Sequence, residues 1–402
     1  MAKYKLKNLL KEFHAGKSIA SDLIRDVGEY PVFGGNGQRG YTDTYNQGGQ
    51  YLIIGRQGAY CGNVRYNIGK AFLTEHAIVG QANEENNAIY LALKLSLMDL
   101  GKLQGQSAQP GLSVETLSCI SLDIPSKEIQ DAIANIIVTI DQKISLNRQI
   151  NDNLEAMAKQ LYDYWFVQFD FPNEEGKPYK SSGGEMVYNE RLKRDIPRNW
   201  NDCLLGDYIG RITNGLNPRK NFVLGSGNNY YVTIRSLAGT TIDWNNCDRC
   251  DDDALKKINS RSQLQIGDVV FSAIGTIGRT YYILEEPNNW NISETSFTLR
   301  PKEDVPNDFF YGMLRSDEIQ IKADKAAMGS TLRCLVMDSL CSILYVKIPK
   351  TLIQKFSCKV SAIYRQIHRN NQEIAELTKQ RDELLPLLMN GQTSINYHLS
   401  DD

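Results

Sequence analysis

The feature that most constrains the fold is a long pattern of apolar residues, spaced by threes and fours, that occurs twice. The first copy runs from Ser126 to about Phe166. Its apolar positions are Ile129, Ile133, Ile136, Ile140, Ile144, Ile150, Leu154, Met157, Leu161 and Trp165. This spacing predicts a long helix that buries one stripe of side chains in a coiled coil. Asn147 takes the stripe position between Ile144 and Ile150, where a polar group favours one register.

The second copy lies near the C-terminal end of the sequence. Its stripe consists of Ile353, Phe356, Val360, Ile363, Ile367, Asn370, Ile374, Leu377, Arg381, Leu384 and Leu388. An Ile-Pro pair precedes each copy, and a Gln follows five residues after each proline: Gln130 after Pro125, and Gln354 after Pro349. We therefore predict a tandem repeat in which a globular domain followed by a long helix occurs twice.

The ends of the second helix also carry local signals. Thr351 and Gln354 are spaced as a capping box, which predicts that the helix begins there. Pro386 is expected to kink or end the helix, and Gly391 stands where a C-cap glycine belongs.

Short apolar runs between glycine-rich stretches predict strands in both globular parts. The fold class is therefore α+β: two mixed, strand-rich domains and two long helices that form a coiled coil. The predicted segments are a first domain (1–125), a first long helix with an aromatic end (126–171), a linker (172–186), a second domain (187–348), a second long helix (349–392) and a tail (393–402). Weak similarities between 52–58 and 269–275, and between 105–112 and 329–335, support a repeated domain.

Composition limits the function classes. No apolar run approaches the length of a membrane span, and no signal peptide precedes Tyr4, so we expect a cytoplasmic protein without a membrane partner. The net charge of −2 is unusual for a protein that holds phosphates. Nucleic-acid binding would therefore require local clusters of basic residues, or partner subunits that contribute phosphate contacts.

Motifs of catalysis are absent or out of context. Gly35-x-Gly37-x-x-Gly40 matches a dinucleotide fingerprint as a string, but no helix is predicted after it. Cys247 and Cys250 form a single C-x-x-C pair without a second pair, which is weak evidence for zinc. We therefore expect no catalytic site, no metal and no cofactor in this chain.

Polar and aromatic side chains in the glycine-rich loops are the candidates for contacts with DNA. Arg can bind guanine with two hydrogen bonds, Asn or Gln can bind adenine, and all of them can bind phosphates. The candidates in the first domain are Asn36, Gln38, Arg39, Tyr41, Arg56, Gln57, Tyr60 and Arg65. Those in the second domain are Arg219, Lys220, Arg235, Ser272, Thr276 and Arg279.

These features together resemble the specificity subunits of type I restriction-modification systems. The repeated Ile-Pro-x-x-x-x-Gln motif carries the resemblance, as do Leu161-Tyr162-Asp163-Tyr164-Trp165-Phe166 and Ile196-Pro197-Arg198-Asn199-Trp200. Residues 106–112 are similar to the Gly-Ser-x-Gln-x-x-Leu element of that family, from which 329–335 departs at Leu332 and Arg333. The first domain lacks an Ile-Pro-x-x-Trp start.

The resemblance implies a non-catalytic, sequence-specific DNA-binding subunit. Each domain would be a target-recognition domain for one half of a bipartite site in double-stranded DNA, and antiparallel helices would set the gap. Its partners would be two methyltransferase subunits, which bind S-adenosylmethionine, and a restriction/translocase subunit. We expect Tyr162, Trp165 and Phe166 to seat the first helix against the second domain or a methyltransferase. A self-contained DNA methyltransferase or nuclease, and a coiled-coil scaffold without a DNA role, are the alternatives.

Overall fold

The structure, a computed structural model, describes residues 2–104 and 111–392. The described residues divide into two compact units: those within 1–145 and 375–402 form the first, and those within 146–374 form the second. The boundary between the units falls inside each of the two long helices. Each unit therefore contains part of both helices, whereas the sequence had suggested domains that end where the helices begin.

The first unit is a strand-rich domain. Its strands, among the residues described, are β1 (Ala2–Lys5), β2 (Leu10–Ala15), β3 (Tyr30–Gly34), β4 (Gly37–Thr42), β5 (Gln50–Gly55), β6 (Val64–Ile68), β7 (Phe72–Leu73), β8 (Ala77–Ala82) and β9 (Ser121–Ile124). Two short helices accompany them, α1 (Ala88–Ser96) and α2 (Val114–Ser118). The first long helix, α3 (Lys127–Tyr162), continues into a π-helical turn at Asp163–Val167, which confirms the helix predicted from the heptad pattern.

The second unit has more elements. Its described strands are β10 (Met186–Asn189), β11 (Arg194–Pro197), β12 (Asn201–Leu204), β13 (Ile209–Asn214), β14 (Asn229–Val232), β15 (Leu237–Ala238), β16 (Thr241–Ile242), β17 (Asp248–Cys250), β18 (Val269–Ser272), β19 (Thr280–Tyr282), β20 (Trp290–Ile292), β21 (Ser296–Pro301) and β22 (Leu344–Lys347). Its helices are α4 (Pro218–Asn221), α5 (Asp252–Asn259), α6 (Asn307–Arg315), α7 (Asp317–Ala326) and α8 (Met337–Cys341). The long α9 (Lys350–Met389) begins in this unit and ends in the first.

The two units share one topology. The four-stranded sheet has the order β2-β8-β5-β6 in the first unit and β13-β21-β18-β19 in the second. The three-stranded sheets, β4-β3-β7 and β17-β14-β20, each combine one antiparallel and one parallel pairing. β5 and β18 hold the same sheet position, which confirms the predicted similarity of 52–58 to 269–275. The second predicted similarity falls partly on 105–110, outside the described residues.

The buried stripe of α3 differs from the predicted one. Near the start of the helix Ile129 is exposed and Ile137 is buried, and the differences continue in the second half. Ile150 and Met157 are exposed, although the spacing had placed them on the stripe. The residues that are buried there are Ile144, Asn147, Asn151, Ala158, Tyr162 and Trp165. Among these buried positions, Ile144, Asn151, Ala158 and Trp165 recur every seven residues, so they form a straighter stripe along the helix than the predicted apolar positions. The prediction was wrong at Ile150 and Met157 because a polar and a small residue occupy the buried face beside them.

A layer of buried amides joins α3 to α9 within the second unit. The Asn147 amide donates to the Glu373 carboxylate at 2.8 Å. Asn370 donates to the Asn151 side chain at 2.8 Å, and Asn151 donates in turn to Asn371 at the same distance. Residue numbers rise along α3 as they fall along α9, so the two segments are antiparallel. Because a buried amide without a partner is costly, this layer favours one register.

The ends of α9 correct one expectation and confirm another. The helix begins at Lys350, so Thr351 lies inside it and does not form the expected capping box. Pro386 also lies inside the helix, which continues to Met389. Gly391 adopts a φ of 67°. Its amide donates to Leu388 and that of Gln392 to Leu387, the paired bonds of a Schellman C-cap.

The aromatic end of α3 lies in the core of the second unit. Phe166 is fully buried, and its ring lies 5.5 Å from that of Phe309 and 5.0 Å from that of Phe356, both in edge-to-face geometry. The Tyr162 hydroxyl shares a hydrogen bond with the Tyr345 hydroxyl on β22. The predicted contact of the first helix with the second domain is therefore confirmed.

We expect Phe166→Ala to lower the free energy of unfolding of the second unit by about 3–5 kcal/mol, because it leaves a cavity among packed rings. Denaturant unfolding followed by tryptophan fluorescence would measure this loss. Tyr164→Ala is the matched control, since the Tyr164 ring is partly exposed, and its effect should stay within about 0.5 kcal/mol. Equal losses for the two variants would contradict the assignment of Phe166 to the core.

The segment predicted as a linker, 172–186, is an ordered loop. The Phe171 ring stacks between those of Tyr179 and Trp200, with centroid distances of 4.8 and 5.1 Å. Asp170 accepts hydrogen bonds from the backbone amide and hydroxyl of Ser181, which fixes the start of the loop to its middle. Its Gly and Ser residues therefore serve tight turns rather than a flexible connection.

Candidate nucleic-acid interface

Three loops of the first unit converge at one edge of its sheets. Asn36 occupies the tip of the β3–β4 hairpin, where Gly37 adopts a φ of 110°. A side chain at Gly55, where β5 ends, would lie 2.3 Å from the Tyr60 carbonyl oxygen and 2.8 Å from that of Gly35. Glycine at that position thus allows the hairpin tip to approach the β5–β6 loop.

The β7–β8 turn and the segment before α2 complete this edge. The Arg56 amide donates to the His76 carbonyl at 2.9 Å, and the Leu112 amide donates to the Arg56 carbonyl at 2.9 Å. The side chains of Glu75 and His76 are roughly half exposed here. Neither residue was among the candidates predicted from the sequence, although 74–76 forms a short polar stretch between two apolar runs.

Most candidates of the first unit lie at this edge, which we call the first loop edge. The Arg39 side chain lies against Gly34, and the Arg65 guanidinium fills the space beside Gly37 that a side chain would need. The exposed candidates at the edge are Asn36, Arg39, Gln57, Tyr60 and Arg65, with Arg56 half-buried. Gln38 is exposed on β4, whereas Tyr41 lies at the opposite end of the hairpin, paired with Pro31. The structure therefore does not bring Tyr41 to the edge.

The second unit places its candidates around the β20–β21 turn. The Glu294 carboxylate in that turn accepts a hydrogen bond from Asn217 at 2.9 Å and one from the Tyr231 hydroxyl at 2.7 Å. Burial, together with the hydrogen bond to Glu294, raises the pKa of Tyr231. Asn217 caps α4 by accepting from the Arg219 amide, and thereby fixes the short helix that carries Arg219 and Lys220. Sequence reasoning missed Glu294 because its partners are distant in the chain.

The β18–β19 turn carries three further candidates, whereas Arg235 lies in the 3-10 turn Ile234–Ser236. Thr276 and Arg279 are exposed, whereas Ser272 is fully buried. The Ser272 hydroxyl donates to the Thr276 carbonyl at 2.6 Å and accepts from the Arg279 amide at 2.8 Å. This geometry corrects the expectation that Ser272 contacts DNA, because its side chain is used inside the turn.

Equivalent loops carry some of the candidates in both units, whereas Arg219 and Lys220 lie between β13 and β14, and the corresponding β2–β3 connection carries none. The β5–β6 loop and the β18–β19 turn follow strands at the same sheet position, and so do the β7–β8 and β20–β21 turns. The Ala273 amide donates to the Thr295 carbonyl, which ties the two turns of the second unit together. The turns at β18–β19 and β20–β21, with α4, thus form a second loop edge.

Some known proteins are similar in sequence to the N-terminal part of this chain, and others are similar to most of its length. Residues 1–156 match the family described as type I restriction modification DNA specificity domain. Over 144 residues the chain is 31% identical to a Mycoplasma pneumoniae protein provisionally named type I specificity subunit, N-terminus, and the match covers 34% of this chain and 75% of that protein. The chain belongs to the type I specificity subunit family.

Further relatives carry the same family name. This specificity subunit is 40% identical over 136 residues to the EcoprrI specificity subunit of Escherichia coli, and that match covers 33% of this chain and 34% of the relative. It is 26% identical over 315 residues to the MjaIX specificity subunit of Methanocaldococcus jannaschii, covering 76% of this chain and 69% of the relative. A solved structure, the type I restriction-modification S subunit from M. genitalium, has a TM-score of 0.61 at 18% identity, covers 98% of this chain and 96% of that one, and shows the same fold.

The three aromatic residues predicted to dock a partner are not available at the surface of this specificity subunit. Tyr162, Trp165 and Phe166 are all buried in the core of the second unit. Burial also raises the pKa of Tyr162 well above its ordinary value. The partner-docking alternative is therefore corrected: these side chains stabilise the subunit itself.

The two cysteines of the C-x-x-C pair lie at β17, Cys247 just before it and Cys250 at its end. Cys250 is fully buried and Cys247 donates from Sγ to the Asp243 carbonyl at 3.4 Å. Burial raises the pKa of both thiols. Across 2–104 and 111–392, no three His, Cys, Asp or Glu side chains are grouped closely enough to hold a metal ion. Among the helices described, none is both long and apolar enough to cross a bilayer.

Proposed function

We propose that this chain is the DNA-reading subunit of a type I restriction-modification complex. In this proposal the first loop edge binds one half of a bipartite site in double-stranded DNA, and the second loop edge binds the other half. The observation that carries the proposal is the shared topology of the two units, in which the equivalent β5–β6 loop and β18–β19 turn each carry an arginine and other polar side chains. Such side chains can read base edges and hold phosphates.

The chemical steps would belong to other subunits. We assign S-adenosylmethionine and methyl transfer to two methyltransferase subunits, and DNA cleavage to a restriction/translocase subunit. The role of this chain is to position the methyltransferases over the target, as a non-catalytic, cytoplasmic protein.

A surface for the methyltransferase is offered by the exposed face of α3. Leu146, Ile150, Met157 and Tyr164 are exposed apolar residues at helical spacing in the second unit. The exposed residues between them on the same face are uncharged: Gln149, Asn153, Ala156 and Gln160. A solvated helix face normally carries charges. A regularly spaced apolar stripe without charges suits a helix of the methyltransferase.

We expect Ile150→Lys with Met157→Lys to weaken methyltransferase binding by at least 30-fold, which corresponds to about 2 kcal/mol. Buried lysines would have to be desolvated at the interface, while the subunit alone keeps its fold because both positions are exposed. Co-purification and titration calorimetry would measure the loss. Ile321→Lys on α7, at another exposed apolar position, is the control. Undiminished binding of the double variant would contradict the docking surface.

The proposed function is tested by reconstitution with a type I methyltransferase subunit that binds this chain. We expect the purified chain alone to neither methylate nor cut DNA, and the complex to methylate a defined site when S-adenosylmethionine is added. Methyl transfer or cleavage by the chain alone would support a self-contained enzyme. A complex without DNA binding in a gel-shift assay would support a scaffold.

A further inference from the structure

A cleft of about 570 Å³ lies in the second unit beside the second loop edge. Its walls are the 3-10 turn Ile234–Ser236 with β15, the β18–β19 turn, and the region where α6 is followed by α7. Arg235, Arg279 and Arg315 line it, and its lining contains no Asp or Glu. In a chain with a net charge of −2, this is a local concentration of positive charge.

Arg279 is held in place by the backbone. Its Nη1 donates to the carbonyl of Ile234 at 3.1 Å and to that of Leu237 at 3.2 Å. A guanidinium has five N–H donors, so donors remain for a ligand in the cleft. A guanidinium fixed in advance loses less conformational entropy when it binds.

The three arginines differ in how their charges are compensated. Arg315 is paired with the Glu155 carboxylate at 2.5 Å and donates to the Tyr311 hydroxyl at 2.8 Å. Arg235 and Arg279 are exposed, and within the described ranges neither forms an ion pair with a carboxylate. The uncompensated charge of the cleft therefore comes from Arg235 and Arg279.

We propose that this cleft binds a phosphate of the DNA backbone next to the second half-site, with Arg235 and Arg279 as its ligands. The proposal rests on the proposed function and narrows it, since both arginines had been expected among residues that could read bases. A phosphate carries a formal charge and several acceptor oxygens, whereas the guanine edge offers two acceptors without a charge. Two positively charged guanidiniums beside one cleft therefore match a charged phosphate better than they match an uncharged guanine edge.

The test is the salt dependence of DNA binding by the full chain. Two duplexes are used, one selected by the wild-type chain from a random pool and one of unselected sequence. For Arg235→Gln with Arg279→Gln, we expect equal weakening on both duplexes. The slope of log K against log salt concentration should fall by about 0.9 for each phosphate that the variant no longer neutralises. Lys256→Gln with Lys302→Gln is the control, because it also removes two positive charges, but from exposed positions outside the cleft. Its slope should differ less from the wild-type slope than that of the double arginine variant.

A second variant tests the site independently, in case the double arginine variant does not fold. Ala238→Glu places a negative charge at an exposed position of the cleft without removing any bond, and it should weaken both duplexes alike. Loss on the selected duplex alone, or an unchanged slope in both variants, would overturn the phosphate site and leave the proposed function standing. A wild-type chain without sequence preference, whose slope still falls in the variants, would overturn the proposed function and keep the phosphate site. Absence of any duplex binding by the wild type at low salt would overturn both.

Discussion

Insertion of one heptad into both long helices is expected to lengthen the gap between the two half-sites by about three base pairs. Seven residues extend a helix by about 10 Å, and one base pair occupies about 3.4 Å of duplex. The insertions belong after Ser145 and after Ile374, where the unit boundaries fall within α3 and α9. A full heptad keeps the amide layer of Asn147, Asn151 and Asn370 in phase. Mapping of methylated sites would measure the gap.

The half-site sequences should not change in this variant, because the loops that carry the candidate residues are untouched. A seven-residue insertion in the exposed turn at 174–177, outside both loop edges, is the control, and it should leave the gap at its original length. A lengthened complex that still methylates DNA at the original gap would show that the helices do not set the distance.

Replacement of Arg39, Arg56 and Gln57 together by alanine is expected to relax or abolish recognition of one half-site only. Each base contact is worth about 1–3 kcal/mol of discrimination, whereas a phosphate contact weakens all sequences alike. The three residues all belong to the first loop edge, and none of them is part of the second unit. The base preference at each position of the target would be read from competition binding.

Lys5→Ala with Lys7→Ala is the charge-matched control, since both lysines are exposed and the same two positive charges are removed. It should leave both half-sites intact. Equal loss on cognate and random DNA in the triple variant would mean that Arg39, Arg56 and Gln57 hold phosphates only.

The long helices were predictable because apolar residues that recur by threes and fours over ten turns form one stripe only on a helix. The spacing did not give the whole buried face of α3: Ile129 is exposed near its start, and beyond Ile144 Asn151 and Ala158 are buried while Met157 is exposed. Amides become suitable for a buried position only through partners on another helix, here Asn370 and Asn371. Those partners are far away in the sequence, so no local pattern identifies them.

The candidate site was predictable as a set of loops but not residue by residue. The glycine-rich stretches predicted turns near Asn36 and Arg56, and the structure brings these residues to one edge. Ser272 was misassigned because a hydroxyl inside a turn and one on the surface look the same in sequence. Glu294 was missed because its importance depends on Asn217 and Tyr231, which other elements supply.

The assignment of one half-site to each unit is tested most directly by sequencing the sites that the reconstituted complex methylates in DNA containing a random region. We predict two short, defined sequences separated by an undefined gap of constant length. In the Arg39, Arg56 and Gln57 variant, one of the two sequences should become degenerate while the other and the gap stay fixed. A single continuous recognition sequence, or simultaneous loss of both halves in that variant, would contradict the assignment of one half-site to each unit.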